Sequence, residues 1–129
     1  MRHQLEAVLL IGLGGFIGAN MRYWISGIAA ERFGPTFPWG TMIINVTGSC
    51  LVAVFLSYAA SHIEVDARWR LLIGTGFFGA YTTFSTYAVD SAALYDTGHI
   101  AQAIGNVIGT NGLCLLGAAL GLLIGSKIG

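Results

Sequence analysis

Between Tyr81 and Tyr87 the chain reads Tyr-Thr-Thr-Phe-Ser-Thr-Tyr, four aliphatic hydroxyls interleaved with three aromatic rings. The run lies in a segment, Leu71 to Val89, that contains no Asp, Glu, Lys or Arg. Hydroxyls in apolar surroundings are costly unless hydrogen-bonded, and a packed core has no use for four so close together. Phe84, Tyr87 and Asp90 recur every three residues, a helical spacing that aligns two rings with a carboxylate at the outer end, while Thr82 and Thr86 share the neighbouring face. An aromatic stripe alone reads as core packing; beside the hydroxyls it reads as the wall of a polar path. Thr41, Asn45 and Gly48 share a face in an earlier segment, Asn106, Thr110 and Asn111 add donors in a later one, and Arg22 follows Gly18 by four residues. Asn45 suits either of two roles, joining helices by hydrogen bonds or facing an ion.

The donors decide the sign of that ion. No carboxylate falls in the middle of an apolar segment, because Glu6 and Asp90 lie near segment ends. Amides, hydroxyls and an Arg present N–H and O–H groups, and aromatic ring edges carry positive partial charge. Such a set stands in for the hydration shell of a small anion.

The elements that hold these groups are apolar throughout. Hydrophobic residues make up 55% of the 129 and charged residues 9%, with a mean hydropathy of +0.73, where a soluble domain carries about 25% charge. Charge-free runs extend from Ala7 to Met21, Phe33 to Ile63, Leu71 to Val89 and Thr97 to Ser126. A bilayer crossing takes about 20 mostly apolar residues. The first run is long enough once Arg22 is accepted near its end, and the second shortens to Thr41 to Ser61 when the turn at Pro35 and Pro38 is set aside. The expectation is an all-α membrane protein, a single domain over residues 1–129 with four transmembrane helices and both termini on one side. At membrane depth the Gly- and Thr-interrupted third segment survives only if buried in protein or lining a wet path.

Several other readings fall away. Asn20, Arg22 and Trp24 stand where a cleavable signal needs small residues. Net charge is zero without a basic cluster, which argues against nucleic acid. Gly74-Thr75-Gly76-Phe77-Phe78-Gly79 fits a dinucleotide fingerprint by spacing, but an apolar span replaces the strand that motif requires. Cys50 and Cys114 fall inside predicted spans and show no metal spacing. Arg2, Arg68, Arg70 and Lys127 on one side face Arg32 and Arg22 on the other, a modest bias toward cytoplasmic termini that leaves insertion both ways open. Gly14 and Gly18, Gly105 and Gly109, and Gly117, Gly121 and Gly125 are each four apart, stripes that let helices approach closely.

Three motifs in order, Gly18-Ala19-Asn20-Met21-Arg22-Tyr23-Trp24, Pro38-Trp39-Gly40-Thr41 leading to Asn45-Val46-Thr47-Gly48, and Gly76 to Tyr87, closely resemble the Fluc (CrcB) fluoride channels over essentially the whole chain. The resemblance implies passive export of cytoplasmic fluoride across the inner membrane by an antiparallel, dual-topology homodimer with two pores in lipid. It also implies a third helix broken from Gly79 to Thr82, and a structural sodium ion at the dimer centre held by the carbonyls of Gly79 and Thr82. Phe84 and Tyr87 would be the pore aromatics and Asn45 the pore amide. Thr83, Ser85, Thr86 and Thr110 would be the pore hydroxyls, and Arg22 the basic residue near the mouth. Tyr87 stands where the family usually has Phe, Asp90 where it often has Glu, and Cys114 where Ser or Thr is expected. Whether the chain pairs with itself or a sister chain stays open. A small dual-topology transporter would need a mid-span carboxylate for proton coupling, which is lacking, and a purely structural four-span protein would leave Thr-Thr-Phe-Ser-Thr unexplained.

Overall fold

A computed structural model describes residues 1–128, which are helical apart from short connections. Helix α1 spans Arg2–Phe33 and α2 spans Trp39–Ser61. Residues 67–81 form α3, whose middle, Arg70–Phe78, is wound as π-helix between short α-helical ends. Helix α4 covers Phe84–Asp96 and α5 covers Ile100–Lys127. Helices α1, α2 and α5 are each long and apolar enough to cross a membrane. The charge-free run from Leu71 to Val89 is divided between α3 and α4, with Thr82 and Thr83 extended between them. The interruption thus lies later than the expected Gly79 to Thr82: Gly79–Tyr81 is helical, and extended backbone begins at Thr82.

Two connections depend on glycine at positive φ. Gly34, at φ 83°, ends α1 and leads into the proline turn. Gly98, also at φ 83°, lies in a Schellman turn in which the Gly98 and His99 amides donate to the carbonyls of Tyr95 and Leu94 at 3.0 and 2.8 Å. That turn reverses the chain from α4 into α5.

Helix α2 packs most extensively on α5, and α1 on α3. Glycines set both contacts. A Cβ at Gly14 or Gly18 would collide with the backbone carbonyl of Leu72 or Phe77 on α3, and one at Gly121 with the Cys50 carbonyl on α2. Gly105 meets nothing within 4 Å and Gly109 only the Met42 methyl at 3.5 Å, so that stripe makes no such contact within the chain. Ile44, Phe78 and Tyr81 form the buried apolar centre, with Ile25, Val52, Ile73 and Phe77 around it. Large apolar side chains such as Phe16, Leu115, Leu116 and Leu120 face outward, as lipid contact requires.

Helix α4 is tied less extensively, to α5 and slightly to α2. Polar contacts from Thr41, Asn106 and Asn111 to Asp90, Ser91 and Tyr87 help to position it.

The two classes of glycine separate in a melting experiment. Gly121→Ala forces a methyl onto backbone and should destabilise the protein by about 1–3 kcal/mol, as overpacked cores do. Gly12→Ala, on α1 with nothing within 4 Å, should be neutral or gain up to about 1 kcal/mol from helix propensity. Thermal melting of both variants in detergent checks the difference; equal midpoints would remove glycine contact as the determinant of the α2–α5 distance.

Candidate functional site

Interrupting a helix strands backbone groups that must find partners, and the chain supplies them from two places. Asn45, buried on α2, reaches Thr83 with both ends of its amide: the Thr83 N–H donates to Asn45 Oδ1 at 2.8 Å, and Asn45 Nδ2 donates to the Thr83 carbonyl at 3.0 Å. Thr83 also caps α4, its hydroxyl accepting from the Thr86 amide at 3.2 Å and donating to the Thr86 hydroxyl at 3.0 Å. Ser85 Oγ lies 3.3 Å from the same hydroxyl. On the other side of the interruption, the Thr82 amide and hydroxyl both donate to the Phe78 carbonyl, at 3.1 and 2.9 Å.

These bonds also account for two of the carbonyls that lose their helical partners at the break. In an unbroken helix the Thr83 amide would close on Gly79 and the Thr86 amide on Thr82. Asn45 Oδ1 and Thr83 Oγ1 take those two amides instead.

Next to the interruption is a cavity of about 190 Å³ lined by Asn45, Ser49, Phe84, Tyr87, Thr110, Asn111 and Cys114. It has amide, hydroxyl, thiol and aromatic walls and neither a carboxylate nor a basic group. The Phe84 and Tyr87 ring centroids are 5.4 Å apart with planes tilted by 53°. Asn111 Nδ2 donates to the Tyr87 hydroxyl at 2.6 Å and to the Val107 carbonyl at 2.7 Å. Behind the lining, Thr110 donates to Asn106 Oδ1 at 2.9 Å, Asn106 donates to Ser91 at 2.9 Å, and Ser91 donates to the Tyr87 carbonyl at 2.8 Å. This chain of bonds fixes α4 against α5.

A larger cavity of about 530 Å³ opens between the α1–α2 turn and the outer half of α4, with Thr41, Thr86, Asp90 and His99 in its wall. There the Thr41 hydroxyl donates to Asp90 at 2.7 Å.

The structure thus brings Asn45, Phe84, Tyr87 and Thr110 to one small cavity and Thr86 to the larger one. Thr83 and Ser85 lie at the α4 cap, and Gly79 and Thr82 flank the helix end. Arg22, half-buried on α1, lines neither cavity. Sequence reasoning passed over Ser49, although it follows Asn45 by one helical turn. It named Thr41 and Asp90 separately without pairing them, because they lie 49 residues apart. A cavity of neutral donors and ring edges is suited to holding a small, partly dehydrated anion.

Residues 9–122 match the family model described as CrcB-like protein, Camphor Resistance (CrcB). A fluoride-specific ion channel FluC of Koribacter versatilis is 48% identical over 111 residues, covering 86% of this chain and 88% of that one. FluC 2 of Bradyrhizobium diazoefficiens is 39% identical over 128 residues, 97% of this chain and 93% of that one. FluC of Clostridium perfringens is 36% identical over 118 residues, 92% of each.

Asn45→Leu removes both bonds to Thr83 and leaves a buried N–H and C=O unpaired, at a cost of about 1–3 kcal/mol for each group. Its melting midpoint in detergent should fall well below that of Asn20→Leu, since the Asn20 amide bonds only the Phe16 carbonyl of its own helix on an exposed face. Equal midpoints would mean that Asn45 does not hold the interruption in place.

Proposed function

Because the chain belongs to the CrcB-like family, whose relatives above are named fluoride-specific ion channels, we propose that it conducts fluoride passively through a path built around the Asn45 cavity. It is a channel and not an enzyme. The observation that carries this reading is the lining: seven residues that present amides, hydroxyls, a thiol and ring edges, with no carboxylate among them. An anion leaving water there exchanges hydration for N–H and O–H donors and for the positive edges of Phe84 and Tyr87. Thr83, Ser85 and Thr86 continue the hydroxyl series along the α4 cap toward the larger cavity, and Arg22 supplies positive charge near a mouth.

In this reading α3 and α4 together make a third crossing, broken at Thr82 and Thr83, so that the chain spans the inner membrane four times. Two copies pair antiparallel to complete the walls. Phe84 supports the pairing: it is 76% exposed in the single chain although it lines the cavity, which leaves one side of the path for a second copy to cover. Dual topology accords with the weak charge asymmetry of the chain.

A structural sodium ion fits the groups present at the helix break. Backbone carbonyl and hydroxyl oxygens, which suit a hard ion, are the groups the break offers. Gly79 and Thr82 are among the residues whose carbonyls lose their helical amides at the break, and a Cβ at Gly79 would meet nothing within 4 Å. Their carbonyls would hold the ion, which would neutralise the negative end of α3.

No coupling ion or nucleotide is needed for export. One charge gains about 2.3 kcal/mol per 100 mV across the membrane. At about 1.4 kcal/mol per decade that is roughly a 40-fold concentration ratio. Proton-coupled transport is disfavoured by the same lining, which has no carboxylate to carry a proton.

The test is efflux from liposomes loaded with potassium fluoride and opened to potassium flow with valinomycin, beside a potassium chloride control. Fluoride release without chloride release is the expected result. Phe84→Ile should nearly abolish release while the protein still elutes as a dimer, because it removes a ring edge without adding a charge. Silence from folded wild-type protein overturns the channel reading, and undiminished flux through Phe84→Ile removes Phe84 from the path.

A further inference from the structure

The hydroxyl of Tyr87 has one hydrogen-bond partner among the described residues, Asn111. Tyr87 is buried, 7% exposed, and its ring forms one wall of the small cavity. Its hydrogen bond with Asn111 has a direction that can be worked out. One side-chain atom of Asn111 lies 2.7 Å from the Val107 carbonyl, an oxygen that only accepts. That atom must therefore be the amide nitrogen. The same nitrogen lies 2.6 Å from the Tyr87 hydroxyl, so its second hydrogen points at the phenol oxygen, and the phenol accepts.

A phenol that accepts still has one hydrogen to give. Among the described residues the Tyr87 hydroxyl has no acceptor for it; Asn111 is its one partner. A buried O–H hydrogen without an acceptor is costly, and the open space beside this ring is the cavity lined by Asn45, Ser49, Phe84, Thr110 and Cys114. Neither Asn45 nor Thr110 makes a hydrogen bond to the Tyr87 hydroxyl: Asn45 Oδ1 accepts from the Thr83 amide and the Thr110 hydroxyl donates to Asn106.

We propose that Tyr87 and Asn111 form a two-residue fluoride site, in which Asn111 pins the phenol oxygen as an acceptor and thereby turns the phenol O–H into the cavity as a neutral donor to the anion. The proposal rests on the channel reading and assigns one ligand of the path. Asn111 acts as a positioning residue: without it the phenol can rotate its hydrogen toward the Asn111 side and the donor is lost. A phenol is the stronger donor to a small, hard anion than an aromatic C–H edge, so the site favours fluoride at low concentration.

The experiment measures the fluoride concentration for half-maximal flux in liposomes containing wild type, Tyr87→Phe, Asn111→Leu and the double variant. Loss of a hydrogen bond to a charged partner predicts that Tyr87→Phe raises the half-saturating concentration by at least about tenfold, with maximal flux holding or rising. Asn111→Leu should give a shift of similar size, and the double variant no more than Tyr87→Phe alone. A merely structural role would instead lower maximal flux and melting midpoint together. Selective flux from wild type with unchanged half-saturation in Tyr87→Phe overturns this site and leaves the channel reading standing. Additive shifts in the double variant overturn the positioning role of Asn111. Absence of flux from wild type overturns the channel reading and this site with it.

Discussion

One side-chain amide carries a backbone that has stopped being a helix. In an apolar medium every peptide group needs a partner inside the protein, and the two groups of Thr83 find theirs on Asn45, 38 residues earlier in the chain. The other features of the site follow from that exchange. Once Asn45 takes the Thr83 amide, Gly79 loses its helical donor; once the Thr83 hydroxyl caps α4, Thr82 loses its own. The cap starts α4 at Phe84, which places Phe84 and Tyr87 one turn apart along the same cavity.

Such an interruption needs a rigid frame, and glycine contacts provide it. Helix α1 lies on α3 at Gly14 and Gly18, and α5 on α2 at Gly121, close enough that side chains are excluded. Helix α4 lacks such contacts and is positioned by Thr41 to Asp90, Ser91 to Asn106 and Tyr87 to Asn111. Interhelical hydrogen bonds in membranes average only about 0.6 kcal/mol each. A helix held by several weak, directional bonds is oriented accurately without being fixed by bulk, which leaves its apolar face free for another surface.

Charge-free runs made α1, α2 and α5 legible, because crossing a bilayer is a demand on composition that local sequence alone meets. The location of the interruption was less legible. Glycine attracts the eye as a breaker, yet Gly79 is helical, and the helix ends where two β-branched threonines have hydroxyls able to satisfy backbone themselves. The deciding partner, Asn45, is remote in sequence, so no local pattern could place the break to the residue. The π-helical winding of Arg70–Phe78 likewise had no signal in the residues. The pore candidates were recognised by type, and four of them do meet in one cavity. Ser49 escaped notice because it sits among small residues, where its spacing from Asn45 was the only clue. The role of Asn111 could not be read at all, since it depends on the direction of one hydrogen bond.

The absence of charge from the small cavity is itself a physical choice. A channel must bind its ion well enough to dehydrate it and loosely enough to release it. A Lys or Arg in a low-dielectric cavity would attract fluoride strongly, but unlike charges at contact there interact too strongly for rapid exit. A carboxylate would repel it. Neutral donors lie between these limits, and their strength can be adjusted by what they bond on their far side. Asn111 loads Tyr87 by donating to its oxygen, and the Thr83 amide loads Asn45 in the same way, while Thr110 gives its own hydrogen to Asn106. The one carboxylate near the route, Asp90, is kept in the larger cavity with the Thr41 hydroxyl donated to it. Selectivity for a small, strongly hydrated anion is then a property of several oriented dipoles held at fixed distance, which explains why so much of this short chain is spent on holding one broken helix still.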